Sequence, residues 1–353
     1  MDYALNKFRG KIEFIKKQLH SQGLANELRS FLLEKELGVE EEARLKGILD
    51  NKTDEKIYQY TANIISLYGG LESFVETIAE EYLKSLSALF PSYEKLKRAT
   101  GISDYMSQGV SLLSHAEERK LKELPKKDVL KGLYKAVVND DSTALQSEAF
   151  IDVGGGNYKH STIMKCFSRM GVSEMQDKLK NYEPLSCYIV ENSLDTSSNF
   201  YTKIDDLVER RNELSHGSEN LELLDAEPFA EYLAFLSIYT ETINNYLNNK
   251  LKHYGWGLLD GEVIEPRVYS NNVIMLKAEN AAVGTRFAKG QKIMLLRDGK
   301  YYDGKIENIH VGDVDYERYE KREAGMEIGL MIDSACKITK ECKIKVFKLE
   351  SCN

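Results

Sequence analysis

"NIISLYGGLESFVETIAEEYLKSLSALF", residues 63–90, sets the character of the first half of the chain. Ile64, Leu67, Leu71, Phe74, Ile78, Tyr82, Leu86 and Leu89 recur at steps of three and four, the period of one helix face. Pro91 supplies the stop. Gly69 and Gly70 each cost ~1 kcal/mol against alanine inside a helix, so the pair predicts another helix in close approach. Upstream, Leu5, Phe8, Ile12, Ile15 and Leu19 mark a first amphipathic helix, and "RSFLLEKELG" (29–38) reads as a second.

Downstream the pattern is mixed from 92 to 160. "HAEERKLKELPKKD" (115–128) is a charged, solvated segment. "DVGGGNYKHSTIMKCF" (152–167) puts three glycines before a helix, a feature of phosphate-binding turns. The spacing G-x-x-x-x-G-K-[ST] is absent from the chain, so this segment reads as a flexible loop. Helical periodicity resumes at "KIDDLVERRNELSHG" (203–217), with Ser197 or Ser198 as its cap, Ile204 and Leu207 facing the core, and Gly217 at the left-handed stop. "PFAEYLAFLSIYTETINNYLNNKLKHYGW" (228–256) is a long helix ending near residue 255, with Phe229, Leu233, Leu236, Tyr239, Ile243, Tyr246 and Leu247 on one side.

Beyond that point the period changes. "NVIMLKA", "QKIMLLRDGKYYDGKIENIHV", "MEIGLMID" and "CKIKVFKLE" are short β-branched or alternating runs, and "RDGK" (297–300) is a hairpin signal. The expected architecture is an all-α helical bundle over 1–254, with a charged insert around 92–160, followed by a small β-barrel over 255–353.

The bulk numbers limit the function. A chain of 353 residues is long enough for two or three domains. No run reaches the roughly 18 apolar residues of a membrane span, and "MDYALNKFRGKIEF" lacks a signal-peptide core. A cytoplasmic protein is expected. The five cysteines contain no C-x-x-C pair, which argues against a zinc knuckle and for incidental thiols. Net charge is -8, so a nucleic-acid partner requires a local basic patch.

The strongest chemical signal is "LVERRNELSHGSEN" (207–220), where Arg211, Asn212 and His216 form R-N-x-x-x-H. Arg211 and His216 are five apart and diverge by about 140° on a regular helix, so they converge only where the helix ends or two subunits meet. Asn212 and His216, four apart, share a face, and the amide can orient the imidazole. A histidine moves the proton of a ribose 2′-OH or of a departing 5′ oxygen, and an arginine fork matches a phosphate gaining charge. Cations in a last helical turn are also favoured by the helix dipole alone. Spacing leaves both readings open.

These segments resemble the HEPN superfamily of helical ribonucleases, whose R-x4-6-H motif commonly has Asn after the arginine. "ISLYGGLESFVETI" (65–78) looks like the early helix of its RiboL-PSP-related branch, and "KIDDLVERRNELSHG" looks like the active-site helix. The resemblance covers roughly residues 5–250. It implies a homodimer with a composite cleft, Arg211 and His216 as catalytic pair and Asn212 as orienting residue; Arg210, which does not head the motif, is left as a candidate phosphate contact. Relatives often carry a polar residue where Glu72 stands, here read as surface-facing.

A second resemblance links "AKGQKIMLLRDGKYYDGKIENIHVGDVDYERYEKREAGMEIGLMID" (288–333) to domain 2 of translational GTPases, with Gly290, Gly304, Gly325 and Gly329 at its turns. The usual "RGD"-like closing turn is replaced by "TKECK", and no GTPase P-loop accompanies it. The resemblance implies tRNA or ribosome contacts. Arg286, Lys289, Lys292, Arg297, Lys300 and Lys305 form either the local basic patch, with Lys289, Lys292, Arg297 and Lys300 contacting RNA, or simply a solvated barrel face. Tyr301 and Tyr302 are candidates to stack on bases, although one of two adjacent strand residues points inward.

Taken together, the expectation is a metal-independent endoribonuclease without cofactor, a toxin or anti-phage effector acting on tRNA or the translation apparatus. Its products would be a 2′,3′-cyclic phosphate and a 5′-hydroxyl. Expected partners are RNA, a second copy, and an antitoxin or other regulator, with no membrane. The alternative is a non-catalytic RNA- or protein-binding adaptor that dimerises through its helical domain.

Overall fold

The computed structural model describes residues 1–33, 52–114, 125–151, 157–194, 200–215, 223–258, 260–264, 267–268, 273–276, 281–323 and 326–347. The chain divides into two compact units, Met1–Leu247 and Asn248–Asn353. The first is helical. The second is an antiparallel β domain that begins with the last turns of a long helix.

In the first unit, α1 (Asp2–Leu33) packs along α2 (Lys52–Leu89). The stripe on α2 is buried from Ile64 to Leu86, each member at most 1% exposed. Leu89 is half-buried, and Phe90 closes the stripe before Pro91. α1 contributes Leu5, Phe8, Ile12 and Ile15, with the Phe8 and Phe74 rings 5.8 Å apart. The glycine pair divides. A Cβ added at Gly70 would lie 3.1 Å from Lys11 Cγ and 3.4 Å from Phe8 Cε2, whereas one at Gly69 meets nothing within 4 Å. Helix approach therefore explains Gly70 and not Gly69.

The second helix expected at residue 29 does not start there, because residues 29–33 continue α1. One interior glycine, Gly23, costs ~1 kcal/mol, less than nucleating a new helix. Residues 34–38 lie outside the described residues.

The region expected as a charged insert also contributes apolar residues to the interior. It contains α3 (Tyr93–Thr100), α4 (Tyr105–Ser114) and α5 (Lys126–Leu133). Tyr93, Leu96, Tyr105, Leu112, Val129 and Phe150 are buried. Ser92 Oγ caps α3 by accepting from the Lys95 N–H at 3.2 Å, and Gly101 ends it at φ 69°. The charged stretch 115–124 and the three glycines 154–156 lie outside the described residues.

α6 (His160–Arg169), α7 (Met175–Lys178) and α8 (Leu185–Glu191) lead to α9 (Thr202–Ser215), which lies against α2 and α6. Ile204, Leu207 and Val208 are its buried face. Ser197, Ser198 and Gly217, the expected ends of this helix, lie outside the described residues. α10 (Ala226–Leu258) buries Phe229, Leu233, Leu236, Tyr239, Ile243, Tyr246 and Leu247 as its period requires. It runs on to Leu258 rather than ending near residue 255. Contacts of the second unit hold those last turns: Tyr301 packs on His253 and Trp256, and Lys345 Nζ donates to the Trp256 carbonyl.

The β strands are β1 (Gly261–Ile264), β2 (Arg267–Val268), β3 (Val273–Leu276), β4 (Arg286–Ala288), β5 (Lys292–Arg297), β6 (Lys300–Val311), β7 (Val314–Tyr316), β8 (Arg318–Glu320), β9 (Ile328–Ser334) and β10 (Lys343–Phe347). They pair in the order β1-β10-β5-β6-β9-β3-β2, with β7 on β6 and β4 with β8 apart. Ile264 on β1 and Ile274 on β3, near opposite ends of that path, share one core with Ile293, Leu295, Ile306, Leu330 and Ile344. The sheet therefore curls around a single core. "RDGK" closes the β5–β6 hairpin, with Arg297 paired to Lys300 and positive φ at both Asp298 (51°) and Gly299 (73°), as a type I′ turn demands.

Gly290 does sit in a turn, at φ 79°. Gly304 and Gly329 do not: they lie inside β6 and β9. A Cβ at Gly304 would press on Leu295 Cδ1 and the Asp333 carbonyl at 3.0 and 3.1 Å, so close packing, not turning, needs that glycine. Gly325 is outside the described residues. Cys166, Cys336 and Cys342 are buried and Cys187 exposed, all as free thiols. Among the described residues no helix is long and apolar enough to cross a membrane.

Candidate active site on the ninth helix

α9 presents its two arginines in opposite circumstances. Arg210 Nε donates to Asp206 Oδ2 at 2.8 Å, one turn back, and its Nη1 donates to the Tyr60 hydroxyl at 3.1 Å on α2. Tyr232 of α10 donates its hydroxyl to the same Asp206 oxygen. The guanidinium thus ties α9, α2 and α10 together, and the expected phosphate contact is occupied by protein.

Arg211 is different. Its guanidinium carbon stands 4.9 Å from the centroid of the Tyr68 ring, within cation–π range, and Nη1 donates to Asn212 Oδ1 at 3.0 Å. Among the described residues no carboxylate forms an ion pair with it. Arg211 and Asn212 are both half-buried, so the fork is held at the surface without being neutralised. Asn212 thereby commits its amide oxygen to the arginine and keeps Nδ2 as a donor. Ser215 Oγ donates to the Arg211 carbonyl at 2.8 Å in the last turn of the helix. His216 lies outside the described residues.

Beneath Arg211 lies a polar strip of α2 that motif spacing did not reveal. The Tyr68 hydroxyl accepts from the Tyr158 N–H at 3.3 Å, and the Tyr158 hydroxyl donates to Glu76 Oε1 at 3.0 Å. Burial raises both phenols, with Glu72 and Glu76 adding to the rise and Arg211 opposing it at Tyr68. Both phenols therefore stay protonated near neutrality. Glu72 is half-buried among these groups rather than simply surface-facing, because a helix brings positions 68, 72 and 76 onto one line. That four-residue repeat was the available sequence signal.

His160, at the start of α6, carries no comparable chemistry. It stacks on Tyr201 at 3.6 Å, lies 3.0 Å from the Tyr239 hydroxyl, and its backbone N–H donates to Asp205 of α9 at 2.9 Å. Burial lowers its pKa to about 4, so it is neutral and structural.

This arrangement sits within a stretch matched by a family model. RiboL-PSP-HEPN matches residues 24–249, well over half of the chain. The chain belongs to the RiboL-PSP-HEPN family. α2, α9 and the Arg211–Tyr68 contact all fall inside the HEPN match. No curated protein matches the chain.

The basic residues expected on the β unit do not form an unopposed patch. Lys289 pairs with Glu317 at 3.1 Å, Arg297 with Asp298 at 3.2 Å, Arg286 with Glu320 at 3.0 Å, and Lys305 with Asp333 at 3.2 Å. Lys300 opens β6 across from Arg297. Lys292 is exposed, directly across from Lys305, and has no ion pair among the described residues. Tyr302 packs against the core and Tyr301 against His253 and Trp256, and both rings are half-buried. Among the described residues, no three His, Cys, Asp or Glu side chains converge as a metal site.

Proposed function

We propose that this HEPN protein is an endoribonuclease that cleaves RNA without a metal, through Arg211, Asn212 and His216. The observation that carries the reading is the state of Arg211. It is a half-buried guanidinium seated on Tyr68, fixed by Asn212 and free of any ion pair among the described residues, five positions before a histidine. A planar fork held in this way is suited to a phosphate that gains charge in the transition state.

In the proposed reaction the ribose 2′ oxygen attacks the adjacent phosphorus and the bond to the 5′ oxygen breaks. The 2′-OH proton passes to a neutral His216 imidazole, and the departing 5′ oxygen takes a proton from a protonated one. A composite cleft formed by two copies would supply both imidazoles and two Arg211 forks. Asn212 Nδ2, four residues before His216, would orient the ring. The products are a 2′,3′-cyclic phosphate and a 5′-hydroxyl. The biological reading is a toxin or anti-phage effector whose target is tRNA or the translation apparatus, with the β unit giving a supporting contact through Lys292.

Purified protein should cleave RNA in EDTA, leave cyclic-phosphate ends, and fail on a substrate with a 2′-deoxy sugar at the cut site. His216→Ala should abolish cleavage while preserving the oligomer. A requirement for magnesium would reject the mechanism. RNA binding with no cleavage under any condition would instead return the adaptor reading. Sequencing of 5′-hydroxyl ends from cells expressing wild type and His216→Ala would name the target.

A further inference from the structure

A cleft of about 180 Å³ opens between α1, α2 and the start of α10, apart from Arg211. It is well below the roughly 300 Å³ at which pockets for drug-sized ligands begin, and its scale suits one flat heterocycle. Its walls carry an unusual density of carboxamides: Gln22 and Asn26 from α1, Gln59 and Asn63 from α2. Leu19 and Phe229 supply apolar surface.

Asn63 is the decisive residue. It is only 9% exposed and lines the cleft, yet its side-chain amide has no hydrogen bond to any described residue. The little surface Asn63 keeps includes its amide atoms, so these groups stay open to water or a ligand at the cleft. The amides of Gln22 and Asn26 are likewise without partners among the described residues. Gln59 donates Nε2 to Glu55 at 3.0 Å, which leaves its Oε1 as an acceptor facing the same region.

The charge of the cleft selects against a phosphate. Its lysine, Lys56, is paired with Asp225 at 3.4 Å, and Glu55 adds a further negative charge. Neutral groups that each offer both a donor and an acceptor match the edge of a nucleobase, which carries the complementary pattern. Tyr60 lines the cleft and also receives Arg210 of α9, so the cleft is joined to the helix that bears Arg211.

We infer that this cleft binds a single unpaired nucleobase, through Asn63, Gln22 and Gln59, with its phosphate left outside. The chemistry is shared by a base within RNA and by a free nucleotide. The RNA source alone rests on the proposed ribonuclease; the binding itself does not.

The test is a calorimetric titration of the full chain with AMP, GMP, CMP and UMP, and with ribose 5-phosphate as the control lacking a base. At least one nucleotide should bind and ribose 5-phosphate should not. Asn63→Leu and Gln22→Leu should each weaken binding at least tenfold. Gln22 is half-buried at the wall, so its variant decides the matter if Asn63→Leu does not fold. Competition by a 2′-O-methyl RNA trinucleotide would assign the site to RNA, and nucleotide binding without competition would assign it to a free nucleotide. Failure of all four nucleotides to bind more tightly than ribose 5-phosphate would overturn the inference, as would unchanged binding by the folded variants. Loss of the ribonuclease reading would appear separately, as absent cleavage with this titration intact.

Discussion

α9 and the β5–β6 hairpin both carry runs of basic residues, and the two regions differ in what stands beside each charge. On the hairpin and its neighbours, Lys289, Arg297, Arg286 and Lys305 each meet a carboxylate within 3.2 Å. On α9, Arg210 meets Asp206, while Arg211 meets an aromatic face and an amide. An ion pair spends a cation's field locally, whereas a ring and an amide position it without cancelling its charge. A count of lysines and arginines therefore says little about phosphate recognition until their partners are known.

Removing the two arginines of α9 should separate these roles most sharply. Arg211→Ala should lower RNA cleavage by about 10²–10³-fold, the usual consequence of deleting one preorganised charge stabiliser. Its thermal unfolding should stay within a few tenths of a kcal/mol of wild type. Comparable losses of activity and stability would break the contrast, because Arg211 would then be an anchor like its neighbour.

The histidines extend the comparison to pH. His160 is held near pKa 4 by burial, against an ordinary value of 6.5. The unfolded chain therefore binds a proton between these values that the folded chain refuses. Stability should be full above pH 6.5 and fall as pH drops toward 4, by up to about 3 kcal/mol from this residue. Denaturant titrations at several pH values, with His160→Phe as control, should show the slope removed in the variant.

Arg210→Ala should show the inverse of Arg211→Ala. It breaks the bonds to Asp206 and Tyr60, so stability should fall by about 1–2 kcal/mol, discounted because Asp206 remains partly hydrated. Below the new melting point, cleavage should be retained within a few-fold. A selective loss of cleavage with no loss of stability would make Arg210 a phosphate contact after all.

How far these roles could be read in advance depended on period and on partners. The buried faces of α2 and α10 were legible because a helix repeats its apolar residues every three or four positions, and "RDGK" because its turn requires two positive φ values. R-N-x-x-x-H marked the candidate segment for the same local reason. What surrounds its arginines is not local: Tyr68 and Tyr158 come from residues far along the chain, and the Asp206–Tyr60 bonding that occupies Arg210 joins three helices. Gly304 misled because the same residue type serves a turn or a tight strand contact, and composition cannot separate the two. The cleft around Asn63 had no signal at all, since its amides are scattered over two helices as ordinary polar positions.

The smallest expected effect tests the β unit. Lys292 lies across from Lys305, and Lys305 is turned to Asp333 at 3.2 Å, so Lys292 keeps its charge available to solvent. If the unit touches RNA, Lys292→Ala should weaken binding by about two- to fivefold, the scale of one exposed charge, and reduce the salt slope by about 0.7. Lys289→Ala and Arg297→Ala should change neither quantity, because each also releases a carboxylate whose repulsion offsets the lost attraction. Filter binding of a single-stranded RNA between 50 and 200 mM salt, a range in which phosphate contacts are read out strongly, would rank the three variants. Equal effects from all three would mean that the strip acts as a general field, and the distinction drawn from partners would fail on this unit while still standing on α9.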